Sequence, residues 1–323
     1  MSESRKTVLV LGGGPGAERE VSLLSAAGIA DGLRHSGRYS VIERTIDRVA
    51  LVELRAMPGD VVFPVLHGSF GEGGPLQDLL EADGRPYVGC GPRAARTAMD
   101  KVATKLAAAK IGVPTADSCV LNFEDSACPL PFPMVVKPVH DGSSVGLHIC
   151  RTADAWPHAF AAAAADTRAN PGRVYMVERF IAGRELTVGV IDGKPLPTIH
   201  IVPAEGVYDY AAKYTRDDTQ YMLDPELPPG VDARIKAHSS ALCAAIGVRH
   251  LARVDFILDS SGTAWLLELN TMPGFTSHSL VPKASRHAGT DMPELCAALV
   301  DLALRDAAGP RPVVPARDHA RRT

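Results

Sequence analysis

Two carboxylates, an amide and a guanidinium recur at strand spacing in LARVDFILDSSGTAWLLELNTMPGFTSHSLVPK, residues 251–283. Side chains on a β-strand alternate between faces, so Arg253 and Asp255 share one face, as do Glu268 and Asn270. Asp-Ser-Ser-Gly at 259–262 is a turn-forming cluster between two apolar alternating runs, which makes the stretch a hairpin. With the turn centred on Ser261 and Gly262, Asp255 falls opposite Glu268 and Arg253 opposite Asn270. These oxygen ligands suit Mg²⁺, which takes one or two protein carboxylates and completes its shell with phosphate oxygens and water. The neighbouring guanidinium can stabilise developing negative charge. The other face (Val254, Phe256 and Leu258; Trp265, Leu267 and Leu269) is apolar and is expected on the core. A polar hairpin face is more often solvated surface. Here it runs directly into Thr-Met-Pro-Gly-Phe-Thr-Ser at 271–277, a loop whose amides could bind an anion.

Further chemistry-bearing residues sit at strand ends. A strand at 132–138 ends in Lys137 and is followed by HDGSSVG, a small-residue loop of phosphate-cradling composition. It is not a Walker A loop, because G-x-x-x-x-G-K-[ST] occurs nowhere in the chain. A strand at 60–66 runs into HGSFGEGG, and one at 7–11 into GGGPG and a helix over 17–33. Val21, Leu24 and Gly28 lie on one face of that helix. Ligands of open α/β sheets bind beyond the carboxyl ends of strands, so Glu18, His67 and Glu72 should converge on one crevice.

The elements that must position these residues read in order. Further helices are expected at 76–82, 92–110, 235–246 and 292–304, and a short strand and turn at 87–91. Strands are expected at 39–44, 174–180, 185–190 and 197–202. Glu178 and Glu185 flank the turn between two of them. An irregular stretch at 208–229 carries Lys213 and Tyr214 and is long enough to be a functional lid.

The chain has 323 residues, enough for two or three domains. Its net charge of −3 comes with no basic patch, which speaks against a nucleic-acid partner. Six scattered cysteines form no C-x-x-C pair, so neither a zinc site nor a redox motif is indicated, and a reducing cytoplasm is expected. The apolar run at 8–11 is too short for a signal segment and no long apolar stretch follows, so no membrane is expected.

The motifs AEREVSLLSA, FPVLHGSFGE, GPLQDLLE, YVGCG, MDK, VVKP, GSSVG, VERFIAGRELTV, YDYAAKY, RVDFILD and LLELNTMPGFTSHSLVP, in that order, resemble the D-alanine–D-alanine ligases of the ATP-grasp superfamily. The resemblance spans roughly residues 5–305 and implies an α/β, ATP-grasp fold of three α/β domains, with ATP held between the central and C-terminal sheets. The implied division is 1–98, a doubly wound N-terminal domain; 99–184, the central domain; 185–306, the catalytic domain; and 307–323, a flexible tail.

The same resemblance implies that Lys101, Lys137 and the segment holding Glu178, Phe180 and Ile181 bind ATP, with Glu185 on the ribose. Asp255, Glu268 and Asn270 would bind two Mg²⁺ ions, with Mn²⁺ as a substitute. Glu18 would take the first D-alanine's ammonium group, Arg253 and the Gly274 amide its carboxylate, with His67 also on the substrate. Lys213, Ser279 and Leu280 would bind the second D-alanine, and Glu18, Ser143 and Tyr214 would close the site. The implied activity is D-alanyl-D-alanine formation through an acyl phosphate, for peptidoglycan precursors, by a cytoplasmic homodimer. D-serine or D-lactate as second substrate is the alternative. Gly73, Pro75, Asp78 and Ala211 depart from the family's usual Asp, Thr, Gly and Glu. From other classes, a dinucleotide oxidoreductase would rest only on the glycines at 12–16, and a regulator without turnover would not need the metal set.

Overall fold

The computed structural model describes residues 5–125, 127–142, 145–203 and 218–308. Strand β1 (Thr7–Gly13) is the centre of a parallel three-stranded sheet, flanked by β2 (Ser40–Ile46) and β3 (Val61–Pro64). Parallel neighbours need crossover connections, and α1 (Arg19–Ser36) and α2 (Leu51–Ala56) supply them. Alternate residues of β1 feed two cores. Val8 and Val10 pack with Ile29 and Leu33 of α1, whereas Leu9 and Leu11 pack with Leu54, Leu76 and Leu80. Short α3 (Gly68–Gly71) and α4 (Pro75–Asp83) follow β3. Leu24, expected on the inner face of α1, is 62% exposed; buried Ser22, Ser25 and Ile29 mark the inner face instead. The strand expected at 87–91 is a single bridge, Val62 to Tyr87.

One helix was expected at 92–110, and two are found: α5 (Pro92–Met99) and α6 (Lys101–Lys110). The break is Asp100, whose extended backbone ends the first helix while its carboxylate accepts from Ala103 N at 2.9 Å and caps the second.

The central sheet is antiparallel, in the order β4 (Ser118–Val120), β7 (Tyr175–Arg179), β5 (Met134–Pro138), β6 (His148–Cys150). Helix α7 (Trp156–Ala169) covers one face through Trp156, Ala159 and Ala163 on Met134, Val136 and Val177. The period of two then turns Val135, Lys137 and Glu178 to the opposite face.

The third sheet comprises β8 (Arg184–Ile191), β9 (Lys194–Pro195), β10 (Ile199–Val202), β11 (Gln220–Leu223), β12 (Leu251–Leu258) and β13 (Ala264–Asn270). Its order is β11-β10-β8-β12-β13, with β9 on β8. Strand β11 lies inside the stretch expected to be irregular; it pairs antiparallel with β10. Helix α8 (Val231–Ile246) packs Ile235 and Leu242 on Val188, Val254 and Phe256. Phe256 is fully buried, and truncation to Ala would cost about 3–5 kcal/mol. A helix that the pattern did not announce, α9 (Leu280–His287), precedes α10 (Met292–Ala308), which returns to pack against α1.

The hairpin register is as expected where the polar residues lie: Asp255 pairs with Glu268 and Arg253 with Asn270. Beyond Asp255 the register shifts, Phe256 facing Leu266, so Leu267 is an extra residue in a bulge. The bulge inverts the expected facing of residues 264–267 and leaves 268–270 as expected. Ala264, Leu266 and Leu269 enter the core, while Leu267 lines the open face and Trp265 lies under Arg179, 4.7 Å from ring centroid to guanidinium carbon. No helix among the described residues is long and apolar enough to cross a membrane.

Candidate active site

A cleft of about 1040 Å³, open to solvent, lies between the uncovered face of the central sheet and the polar face of the third sheet. Apolar side chains wall it from both sides: Val135, Ile149 and Phe180 on one, Ile257 and Leu267 on the other. Lys101, Lys137, Glu178, Ile181 and Glu185, named from sequence, all line it, as do Asp255 and Glu268. Of the apolar lining, Phe180 and Ile181 are named from sequence, whereas Leu267 is not, because it reaches the cleft only through the bulge.

Glu178 is 4% exposed. Its Oε1 is in contact with Lys137 Nζ, and its Oε2 accepts from Lys105 Nζ at 3.1 Å. Burial alone would raise this carboxyl, but the two ammonium groups outweigh it and hold it below the ordinary range. Burial depresses Lys101 and Lys105 from their usual values. Lys105 was not singled out as a site residue. The available signal was its spacing, four residues after Lys101 and so on the same helix face.

A second, smaller chamber of about 550 Å³ adjoins the first, and Lys101, Asp141, Gly142 and Glu268 line both. Glu18, Glu72, Arg253 and Asn270 complete its polar wall. Arg253 sits across Asp255, Nη2 to Oδ2 2.8 Å, and Thr187 Oγ1 donates to Asp255 Oδ1 at 2.5 Å. Asn270 Oδ1 accepts from Met272 N at 2.9 Å, which ties the strand end to the following loop. Glu72 accepts from Gly68 N at 3.1 Å, yet burial and then the charge of Glu18 push its carboxyl up to about 8. His67 is buried beside it, Nδ1 to Glu72 Oε1 3.9 Å, and burial lowers its pKa. Its Nε2 has no hydrogen-bond partner among the described residues.

Other expected residues stand apart from this wall. Gly274 lies where an added Cβ would come within 2.9 Å of Ser279 Oγ, and that hydroxyl accepts from Thr276 N at 2.9 Å. Phe275 N donates to Ser25 Oγ at 3.0 Å, fastening the loop to α1. The Leu280 side chain is core, packed with Ile199 and Ile201, so any substrate contact it makes is through its backbone. Ser143, Lys213 and Tyr214, and with them residues 208–217 of the lid stretch, which include Ala211, lie outside the described residues. Of the departures, Gly73 fits tight packing, since a Cβ there would sit 2.4 Å from Ser69 O. Pro75 opens α4 at a position that favours proline, and Asp78 forms an exposed ion pair with Arg96. None of the three lines either chamber.

Two carboxylates and an amide oxygen are donor types that Mg²⁺ takes. Among the described residues no group of three or more His, Cys, Asp or Glu side chains could hold a metal, so such a site would depend on Asn270 and on oxygens from a ligand.

A cleft between two antiparallel sheets, walled by apolar side chains and lysines and opening into a chamber lined by carboxylates, fits an enzyme of the ATP-grasp class. The profile described as D-ala D-ala ligase C-terminus matches residues 116–301, and its N-terminal counterpart matches residues 50–90. The D-alanine–D-alanine ligase of Anaeromyxobacter sp. (strain K) is 42% identical over 306 residues, 92% of this chain and 96% of that protein. The crystal structure of the Bacillus anthracis D-alanine–D-alanine ligase complexed with ATP superposes with a TM-score of 0.79 at 29% identity, covering 94% of this chain and 99% of that one. The VanG D-Ala:D-Ser ligase of Enterococcus faecalis gives 0.79 at 25% identity, covering 93% and 100%. The chain belongs to the D-alanine–D-alanine ligase family.

Proposed function

We propose that the protein joins two D-alanines into D-alanyl-D-alanine in an ATP-dependent reaction that supplies peptidoglycan precursors. The observation that carries this reading is the shared wall of the two chambers at Lys101 and Glu268. A phosphate donor in one chamber can there meet a carboxylate held in the other. The apolar walls suit a purine ring, and Lys101 and Lys137 suit its phosphates. Glu18 takes the ammonium group of the first D-alanine and Arg253 its carboxylate. His67, buried beside Glu72, is assigned to the same substrate although it lines neither chamber. Ser279, the Gly274 amide and the Leu280 backbone belong to the loop assigned to the second D-alanine. Asp255, Glu268 and Asn270 are the residues that would hold Mg²⁺, which when bound neutralises phosphate charge.

A carboxylate is a poor electrophile, so its oxygen first attacks the γ-phosphorus of ATP and ADP leaves. The second D-alanine's amine, having lost a proton, attacks the acyl carbon. The C–N bond forms, the C–O bond breaks and phosphate departs. Positioning and charge neutralisation are what such phosphoryl transfer needs from the protein. The three sheets are the basis for proposing the division 1–98, 99–184 and 185–306. A cytoplasmic homodimer is part of the same proposal. D-serine as second substrate is disfavoured by the higher identity to relatives named for D-alanine. The test is to incubate protein, ATP, Mg²⁺ and a panel of D- and L-amino acids, reading phosphate release and product mass. D-alanyl-D-alanine with one phosphate per dipeptide is expected. Phosphate release indifferent to the amino acid would reject the reading.

A further inference from the structure

We propose that Lys105 is a positioning residue that frees Lys137 to move from Glu178 to the phosphates of the nucleotide. The inference rests on the nucleotide-cleft reading above. Glu178 has two cations, one on each oxygen: Lys137 on Oε1 and Lys105 on Oε2. The two differ in access. Lys137 lines the cleft, whereas Lys105, 6% exposed, is not part of its wall and lies behind the carboxylate. Helix α6 holds it there, one turn beyond Lys101.

An entering polyphosphate competes for the ammonium groups that line the cleft. If Lys137 were the sole cation on Glu178, its departure would strand a buried carboxylate without compensation, which is the costly outcome for a buried pair. Lys137 would then stay locked on Glu178 and be lost to the nucleotide. With Lys105 remaining on Oε2, the carboxylate keeps a counter-ion and Lys137 becomes exchangeable. The triad thus has one fixed cation and one mobile cation.

Steady-state kinetics on Lys105→Met, Lys105→Gln, Lys105→Arg and the pair Glu178→Gln and Lys105→Met/Glu178→Gln test this. Both neutral variants should raise the KM for ATP about tenfold, the size of one charge-assisted hydrogen bond. The KM for D-alanine should stay within about twofold of wild type, since the amino-acid chamber keeps its own charges. Lys105→Arg, which keeps the charge, should restore ATP affinity. Adding Lys105→Met to Glu178→Gln should change the ATP KM no further, because no carboxylate remains to be compensated. Lys105→Gln carries the test where Lys105→Met does not fold. An unchanged ATP KM in a folded neutral variant, an equal rise in the KM for D-alanine, or a full tenfold effect in the Glu178→Gln background would each overturn the proposal. Calorimetric titration of the same variants with Mg²⁺-ATP keeps the two claims separate. A wild-type protein that binds nucleotide but forms no dipeptide contradicts the assigned reaction, while the Kd order among variants still decides the role of Lys105.

Discussion

The two chambers share a wall and differ in what lines the rest, apolar side chains and lysines in the first and carboxylates around an arginine in the second. The proposed nucleotide cleft has apolar sides and presents Lys101 and Lys137 beside the carboxylates Glu178, Glu185 and Asp255. The amino-acid chamber gathers Glu18, Glu72 and Glu268 around Arg253. Lysines on the cleft wall suit a polyanion, the carboxylates beside them suit the metal ions that accompany one, and the carboxylates of the second chamber suit an ammonium group. The crowding of carboxylates has a cost, and Glu72 relieves it by keeping its proton up to a pH of about 8. In the proposed reaction the phosphoryl group is transferred at the shared wall of Lys101 and Glu268.

The comparison breaks most visibly at the shared wall. Glu268→Gln should lower turnover about 10³-fold while leaving the fold intact, as phosphate release beside circular dichroism would show; a wild-type rate would remove Glu268 from the chemistry. Arg253→Lys keeps the charge but loses the fork across Asp255, and kcat/KM for D-alanine should fall about 10²-fold. An effect on ATP affinity alone would place Arg253 in the wrong chamber. Leu267→Ala sharpens the contrast from the other side. It removes apolar wall from the nucleotide cleft and should raise the ATP KM about fivefold, with the D-alanine KM unchanged.

The last effect is on stability and not on rate. Glu72 holds its proton in the folded protein up to about 8, whereas its ordinary value is 4.5. Between these values the folded state binds more protons than the unfolded state, so this group's contribution to stability falls as pH rises from about 4.5 towards 8. Glu72→Gln removes that slope, worth on the order of a few kcal/mol. Unfolding midpoints of variant and wild type should therefore diverge with rising pH, in favour of the variant; parallel curves would mean that Glu72 is ionised in the fold.

Residue type and alternation made the acidic chamber legible. Strand period put Arg253, Asp255, Glu268 and Asn270 on one face, and the strand-end rule drew Glu18, His67 and Glu72 together. The proposed nucleotide cleft was legible in its charged residues and in Phe180 and Ile181, but not in Leu267. Its apolar wall depends on a one-residue bulge at Leu267, and no period-two pattern announces where a register slips. The helix break at Asp100 was missed for a related reason. Alanine-rich sequence on both sides favours helix, and only the capping hydrogen bond to Ala103 N separates α5 from α6. Lys105 gives no sign of its role in the sequence, because its partner Glu178 lies 73 residues away in the chain.

The most direct test of phosphoryl transfer across the shared wall uses D-alanine labelled with ¹⁸O in its carboxylate. Protein, ATP and Mg²⁺ are added, and the inorganic phosphate released is analysed by mass. If a carboxylate in the acidic chamber attacks the γ-phosphorus, each phosphate formed with a dipeptide carries one ¹⁸O atom from the first D-alanine. Unlabelled phosphate accompanying dipeptide formation would show that the carboxylate is never phosphorylated, and would contradict the assignment of the two chambers.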